Sequence, residues 1–164
     1  MAGKSAGMKH AGEVGGAVPV ERLAAGQRFH RAVQAAFLSG PVGGQGFRER
    51  RWRLVAGGHG RVDLAVETNG AEQMLVIIEI KGTSWDTIPA ERVRPNLRRH
   101  LRQLQGYLNT ATEEMDAGQW PGGIAGALLY PARPSRAATA EMIEALAGEQ
   151  AIMVTWYLEA DWGQ

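Results

Sequence analysis

The period of the apolar positions changes several times along the chain, and each change marks an element. Over residues 20–38, Phe29, Val33, Ala36 and Phe37 recur at helical spacing and make one apolar face, so this stretch predicts a helix. Gly40, Pro41, Gly43, Gly44 and Gly46 then break the chain. Residues 47–55 predict an edge-type strand rich in Arg, and residues 61–67 alternate apolar and polar strictly, which predicts a second strand. After a turn signal at Asn69-Gly70, the apolar run over residues 74–81 predicts a buried strand. Pro95 suits the first turn of a long helix reaching roughly Gly118, with Leu97, Leu101, Leu104 and Leu108 as its core stripe. A strand over 123–130, a helix over 137–148 and a last strand over 151–158 complete the order α-β-β-β-α-β-α-β. That order predicts an α/β domain with a mixed central sheet flanked by helices. Residues 1–18 have no period and predict a flexible leader ahead of a single domain over 19–164.

Two charges interrupt the apolar strand at its end. Glu79 and Lys81 lie two apart and share a face, whereas Val76, Ile78 and Ile80 point the other way. Charges at such a place are costly unless paired or bound to something. On the preceding strand, Val62, Leu64 and Val66 are expected to face the core, which turns Asp63 and Arg61 to the opposite face. A loop from Asn69 to Gln73 pairs Asp63 with Glu79, Ala65 with Ile77 and Arg61 with Lys81. The other face then matches Val62 to Ile80, Leu64 to Ile78 and Val66 to Val76. A two-residue loop at Asn69-Gly70 would separate Asp63 from Glu79, so the hydrophobic pattern favours the longer loop. Two adjacent carboxylates repel unless a cation lies between them, and such oxygen ligands suit Mg²⁺ or Mn²⁺. A lysine beside them can orient water or stabilise charge on a phosphoryl group. The plainer alternative is a hairpin with a surface Asp and a surface Glu–Lys pair.

Composition narrows the classes. The chain has 164 residues and no Cys, which removes disulfides, thiolate metal sites and a Cys nucleophile. With 45% hydrophobic and 21% charged residues it is a globular composition. No run is apolar enough to span a membrane and no secretory signal opens the chain, so a cytoplasmic protein without a membrane partner is expected. The net charge of +1 argues against a protein that merely coats a polyanion, but it conceals a split. Nearly all Lys and Arg precede Gln103, and acids prevail after it, which raises nucleic acid as a partner.

Val62-Asp63 followed by Glu79-Ile80-Lys81, with a helix before and a helix after, resembles the PD-(D/E)XK nuclease superfamily over roughly residues 20–158. The first position departs from the name, being Val62 and not Pro. Three further pieces make the chain similar to the RecB-like branch. Gly26-Gln27-Arg28-Phe29-His30 matches its G-x-x-x-H element, Gly60-Arg61-Val62-Asp63 its G-x-x-D element, and Gln103-Leu104-Gln105-Gly106-Tyr107 its Q-x-x-x-Y element. The resemblance implies a restriction-endonuclease-like core and a metal-dependent phosphodiesterase acting on DNA, leaving a 5′-phosphate. It implies Asp63, Glu79 and the Ile80 carbonyl as ligands of Mg²⁺ or Mn²⁺, with Lys81 positioning the attacking water. Many enzymes on this fold pair to cut both strands, so a homodimer is admitted, although no dimer signature marks the chain. A non-catalytic nucleic-acid-binding module and a nuclease toxin or effector domain are the rival readings.

Other residues fill out the expected site. His30 flanks the apolar face of its helix and is either a metal ligand, which would favour Mn²⁺, or a half-buried histidine with a hydrogen bond. Glu21, on the other flank, competes as an extra acidic ligand. Gly26 would let this helix approach the sheet closely. Asn96, His100, Gln103 and Tyr107 form a polar stripe beside the leucine stripe, where Gln103 and Tyr107 would hold substrate phosphate or the carboxylates. Arg61, Arg98, Arg99, Arg102 and His100 are candidate nucleic-acid contacts, with Arg98 and Arg102 on one face and Arg99 apart. Arg48, Arg50, Arg51 and Arg53 add charge that either meets nucleic acid or protects an edge strand. Trp52 could stack on a base or pack, Trp85 is the better candidate for substrate contact, and Trp156 is expected in the core.

Overall fold

The computed structural model describes residues 20–39, 44–48, 51–53, 59–68, 74–116 and 122–158. The expected leader over 1–18, the Asn69-Gly70 turn and Arg50 lie outside the described residues. In chain order the elements are α1 (Val20–Ser39), β1 (Gly44–Arg48), β2 (Arg51–Arg53), β3 (His59–Arg61), β4 (Leu64–Thr68) and β5 (Met74–Ile80). A single 3₁₀ turn (Trp85–Thr87), α2 (Ala90–Asp116), β6 (Gly123–Tyr130), α3 (Ala137–Gly148) and β7 (Ile152–Trp156) follow.

Five strands form one mixed sheet in the order β1-β4-β5-β6-β7. β1, β4 and β5 pair antiparallel, and β5, β6 and β7 pair parallel. Both faces of β5 are covered, which explains its unbroken apolar run. On one face Leu75 and Ile77 pack with Leu97, Leu101, Leu104 and Tyr107 of α2 and with Ile143 and Ala147 of α3. On the other, Ile78 and Ile80 pack with Val33 of α1, and Phe29 and Phe37 close over them. Parallel crossovers share one hand, so α2 and α3 fall on the same face and leave the other to α1. No helix among the described residues is long and apolar enough to cross a membrane.

The β4–β5 register is the one the hydrophobic pattern demands: Leu64 opposes Ile78, Ala65 opposes Ile77 and Val66 opposes Val76. Three expectations need correction. The strand expected over 61–67 is two strands, β3 and β4, separated by a bend at Asp63. Val62 therefore joins the α2-side core with Ala65 and Leu75, while Leu64 and Val66 face α1. The Arg-rich strand also divides, and β2 pairs with β3 in a separate two-stranded ribbon, Trp52 opposite Gly60. Finally, Pro95 does not open α2; the helix begins at Ala90, with Pro95 inside it. Val93, four residues before Leu97, is buried, so the apolar stripe extends one turn further back and holds the helix there. Pro95 is exposed in the second turn, where it lacks the N–H that would serve the Glu91 carbonyl, and the burial of Val93 and Leu97 on either side of it offsets that loss.

Candidate active site

The site forms just before β4 begins, where β5 continues past Ile78 beside β6. Lys81 N–H still donates to the Leu129 carbonyl at 2.8 Å, extending the β5–β6 ladder past Ile80. The backbone around the Asp63 bend is claimed by side chains instead of a strand. Tyr107 of α2 donates its hydroxyl to the Arg61 carbonyl at 2.8 Å and accepts the Arg61 N–H at 3.2 Å. Gln34 of α1 donates to the Asp63 carbonyl at 2.9 Å. The Asp63 carboxylate then accepts the Ile80 N–H at 2.8 Å, where a continuing ladder would have offered a carbonyl. The bend thus swaps a backbone acceptor for a carboxylate at the end of β5.

Glu79 and Lys81 project from β5 toward α2. Lys81 Nζ donates to Glu79 Oε1 at 2.6 Å and to Gln103 Oε1 at 2.7 Å. Gln103 Nε2 donates to the Tyr107 hydroxyl at 3.1 Å. The polarity of this chain is fixed by its ends: an ammonium only donates, and the Tyr107 proton goes to the Arg61 carbonyl. Of the two expected roles for Gln103 and Tyr107, holding substrate phosphate or holding the carboxylates, the second is not what their hydrogen bonds do; they hold Lys81 and the Arg61 backbone. Burial pushes the Tyr107 phenol above its ordinary value, so it stays a hydroxyl.

Glu79 is 2% exposed, and its Oε2 is buried without a hydrogen-bond partner among the described residues. Burial, then the negative charge of Asp63, push the Glu79 carboxyl up to about 7, against the pull of Lys81. A buried carboxylate oxygen with no donor, repelled by a second carboxylate, is an environment that favours either a proton or a cation. Among the described residues no cluster of three or more His, Asp and Glu stands ready to hold a metal ion. The two carboxylates nonetheless fit a hard ion such as Mg²⁺, which keeps several waters and asks for only one or two carboxylates.

The remaining expected residues divide. His30 is half-exposed, with Nδ1 3.5 Å from Asp63 Oδ1. Glu21 is exposed in the first turn of α1, about two and a half turns before His30. Close approach of α1 to the sheet is real, but the glycine it requires is Gly82: a Cβ there would come within 3.0 Å of the Gly26 Cα. Arg61, Arg98, Arg99 and Arg102 are exposed. Side chains of Arg48, Arg51, Trp52 and Arg53 lie outside the described residues.

Trp85 and His100 are corrections. Both are buried, at 1% and 5% exposure, and neither offers a face to a nucleic acid. Their rings pack with Tyr130 and, through it, Trp156, at centroid distances of 5.1 to 5.9 Å. His100 Nδ1 shares a hydrogen bond with the Tyr130 hydroxyl at 3.0 Å. Burial, then the charges of Lys81 and Arg99, hold His100 down to about 3, so it is neutral. Trp85 follows the strand end, as substrate-contacting loops do, but its 3₁₀ turn is pinned by Asp86, which accepts from the Ser135 N–H and hydroxyl. Trp156 is core, as expected. Gln34 was not foreseen; its position four residues after His30, on the same flank of α1, is the signal that could have found it.

No family model, no curated protein and no solved structure matches this chain.

Proposed function

We propose that this protein is a metal-dependent nuclease of the PD-(D/E)XK superfamily, close to its RecB-like branch, that hydrolyses phosphodiester bonds of DNA. The observation that supports the reading is the convergence of Asp63, Glu79 and Lys81 at one strand end, with a buried Glu79 oxygen that has no donor among the described residues. Asp63, Glu79 and the Ile80 carbonyl would hold Mg²⁺ or Mn²⁺, which supplies charge neutralisation at the scissile phosphate and a more acidic water.

The chain's own residues do the rest. Lys81 holds its ammonium between Glu79 and Gln103, where it can orient the attacking water and steady charge on the phosphoryl oxygens. Gln103 and Tyr107 are positioning residues: they fix Lys81 against α2 and hold the Arg61 backbone two residues before Asp63. The Ile80 N–H holds Asp63 Oδ2, and the His30 ring lies 3.5 Å from its Oδ1. The α/β core would then be of the restriction-endonuclease-like type.

The test is cleavage of linear, circular and single-stranded DNA in a metal series. Wild-type protein is expected to cut with Mg²⁺ or Mn²⁺ and to stop with a chelator. Asp63→Asn, Glu79→Gln and Lys81→Ala are each expected to lower the rate by about 10³-fold or more while thermal unfolding stays cooperative. Absence of cleavage of every substrate with every metal, by folded wild-type protein, would sink the enzyme reading and favour a binding module.

A further inference from the structure

Exposed arginines occupy two sides of α2, and only one of them borders the site. The hydrogen bonds of Gln103 to Lys81 and to Tyr107 mark the site-facing flank of the helix. At about 100° per residue, Arg92, Asn96 and Arg99 fall within about 40° of Gln103. Arg102, Arg98 and Arg94 lie about 100°, 140° and 180° away from it. Arg102 Nε leans back on the Arg98 carbonyl at 3.4 Å, along that far side. Arg92 and Arg99 are exposed, and among the described residues no carboxylate stands in salt-bridge range of either. His100, next to Arg99, feels the charges of both Lys81 and Arg99, which ties this flank to the site.

The flank is also graded along its length. Its N-terminal half carries Arg92 and Arg99 and the positive end of the helix dipole. Eleven residues beyond Gln103 the same flank carries Glu114. A polyanion leaving the site is therefore attracted toward the start of α2.

We propose that the phosphate backbone of DNA runs from Lys81 along the Arg92–Asn96–Arg99 flank of α2 toward the helix N-terminus, and that Arg98 and Arg102 take no part in binding it. The identity of the polyanion rests on the nuclease reading. The flank spans about 16 Å of helix from Arg92 to Gln103, room for several phosphates spaced about 3.4 Å along a duplex axis.

The experiment is fluorescence anisotropy of a labelled DNA duplex with the full chain, in chelator, between about 50 and 200 mM salt. Arg92→Ala and Arg99→Ala are each expected to weaken binding and to lower the slope of log affinity against log salt by about 1. Arg98→Ala and Arg102→Ala are expected to leave affinity and slope unchanged. Equal losses from both pairs, losses confined to Arg98 and Arg102, or no binding by wild-type protein would each overturn the proposal. Tighter binding of an RNA duplex run in parallel would overturn DNA as the occupant. Because no cleavage is needed, binding along this flank by a chain that cuts nothing with Mg²⁺ or Mn²⁺ would uphold the flank and overturn the nuclease reading.

Discussion

Two blocks of buried polar side chains lie side by side at the carboxyl end of β5, and they settle their charges in opposite ways. The aromatic block of Trp85, His100, Tyr130 and Trp156 is neutral. His100 gives up its proton to burial and shares a hydrogen bond with Tyr130, and Trp156 Nε1 donates to Glu144 Oε1 at 3.1 Å. The buried Trp85 indole N–H lacks a partner among the described residues, and a neutral donor left so is a modest cost. The carboxylate block of Asp63, Glu79 and Lys81 instead gathers ionisable groups and leaves Glu79 Oε2 without a donor among the described residues. Each block registers the other: Lys81 helps hold His100 neutral, and the Glu79 charge adds to the burial that raises the Tyr130 phenol. One block is neutral scaffold; the other buries a carboxylate oxygen at a cost in stability.

The sharpest way to break the comparison is to remove the scaffold's largest member. Tyr130 is fully buried and touches both the ring cluster and His100. Tyr130→Ala is expected to lower the free energy of urea unfolding by about 3–5 kcal/mol, through lost contacts and a cavity. Tyr130→Phe keeps the ring and strands only the His100 bond, for about 1–3 kcal/mol. If the two variants cost the same, the block is held by its polar pair and not by packing.

The carboxylate block makes the opposite prediction, a gain in stability. Glu79 has its folded value raised to about 7 from an ordinary 4.5. Between these values the folded state binds more protons than the unfolded one, so stability falls as pH rises through about 7. Below about 4.5 both states are protonated and the penalty vanishes. Glu79→Gln removes the buried charge while keeping an acceptor for Lys81. The variant is expected to exceed wild-type stability by roughly 2–3 kcal/mol at pH 8 in chelator, with the gain shrinking toward pH 5. His100 titrates in both proteins, so its contribution cancels in the difference curve. Urea melts across that range decide it; a variant less stable at pH 8 would show that the unpaired oxygen stores no strain. Cleavage is expected to be lost in the same variant, which would separate stability from function at one atom.

Why was so much of this block legible in the sequence? Matching Leu64 with Ile78, Ala65 with Ile77 and Val66 with Val76 favours one register, and that register brings Asp63 to the Glu79-Ile80-Lys81 segment. What periodicity could not carry was the bend at Asp63, because the groups that make it come from elsewhere in the chain. Tyr107 and Gln34 are 46 and 29 residues from the backbone atoms they bind. The polar stripe on α2 misled for a related reason. His100 and Gln103 sit three residues apart on adjoining parts of one helix face, yet Tyr130 draws one into the core and Lys81 holds the other at the rim. Trp85 was misread because loops at strand ends often bind substrate, while here Asp86 and Ser135 tie that loop down. Long-range side-chain partners, and not local pattern, decided each of these cases.

Tyr107 is the joint between the two blocks, and the smallest expected effect belongs to it. Its ring belongs to the same core as Trp85 and Tyr130, whereas its hydroxyl serves the site through Gln103 and the Arg61 backbone. Tyr107→Phe keeps the ring, so packing is preserved and only the three hydrogen bonds are lost. The Arg61 groups lie at a partly exposed edge where water can replace the phenol, which limits the cost to about 1 kcal/mol. The informative readout is local. Amide exchange at Arg61 is expected to accelerate, because its N–H loses its acceptor. Exchange at Ile80 is expected to stay slow, because Asp63 Oδ2 still covers it and Gln34 still holds the Asp63 carbonyl. Acceleration at both amides would mean that Tyr107 supports the whole bend, and that Asp63 owes its position to α2 as much as to α1. Slow exchange at Ile80 would instead assign Asp63 to α1, and Lys81 to α2, as two independently held halves of one site.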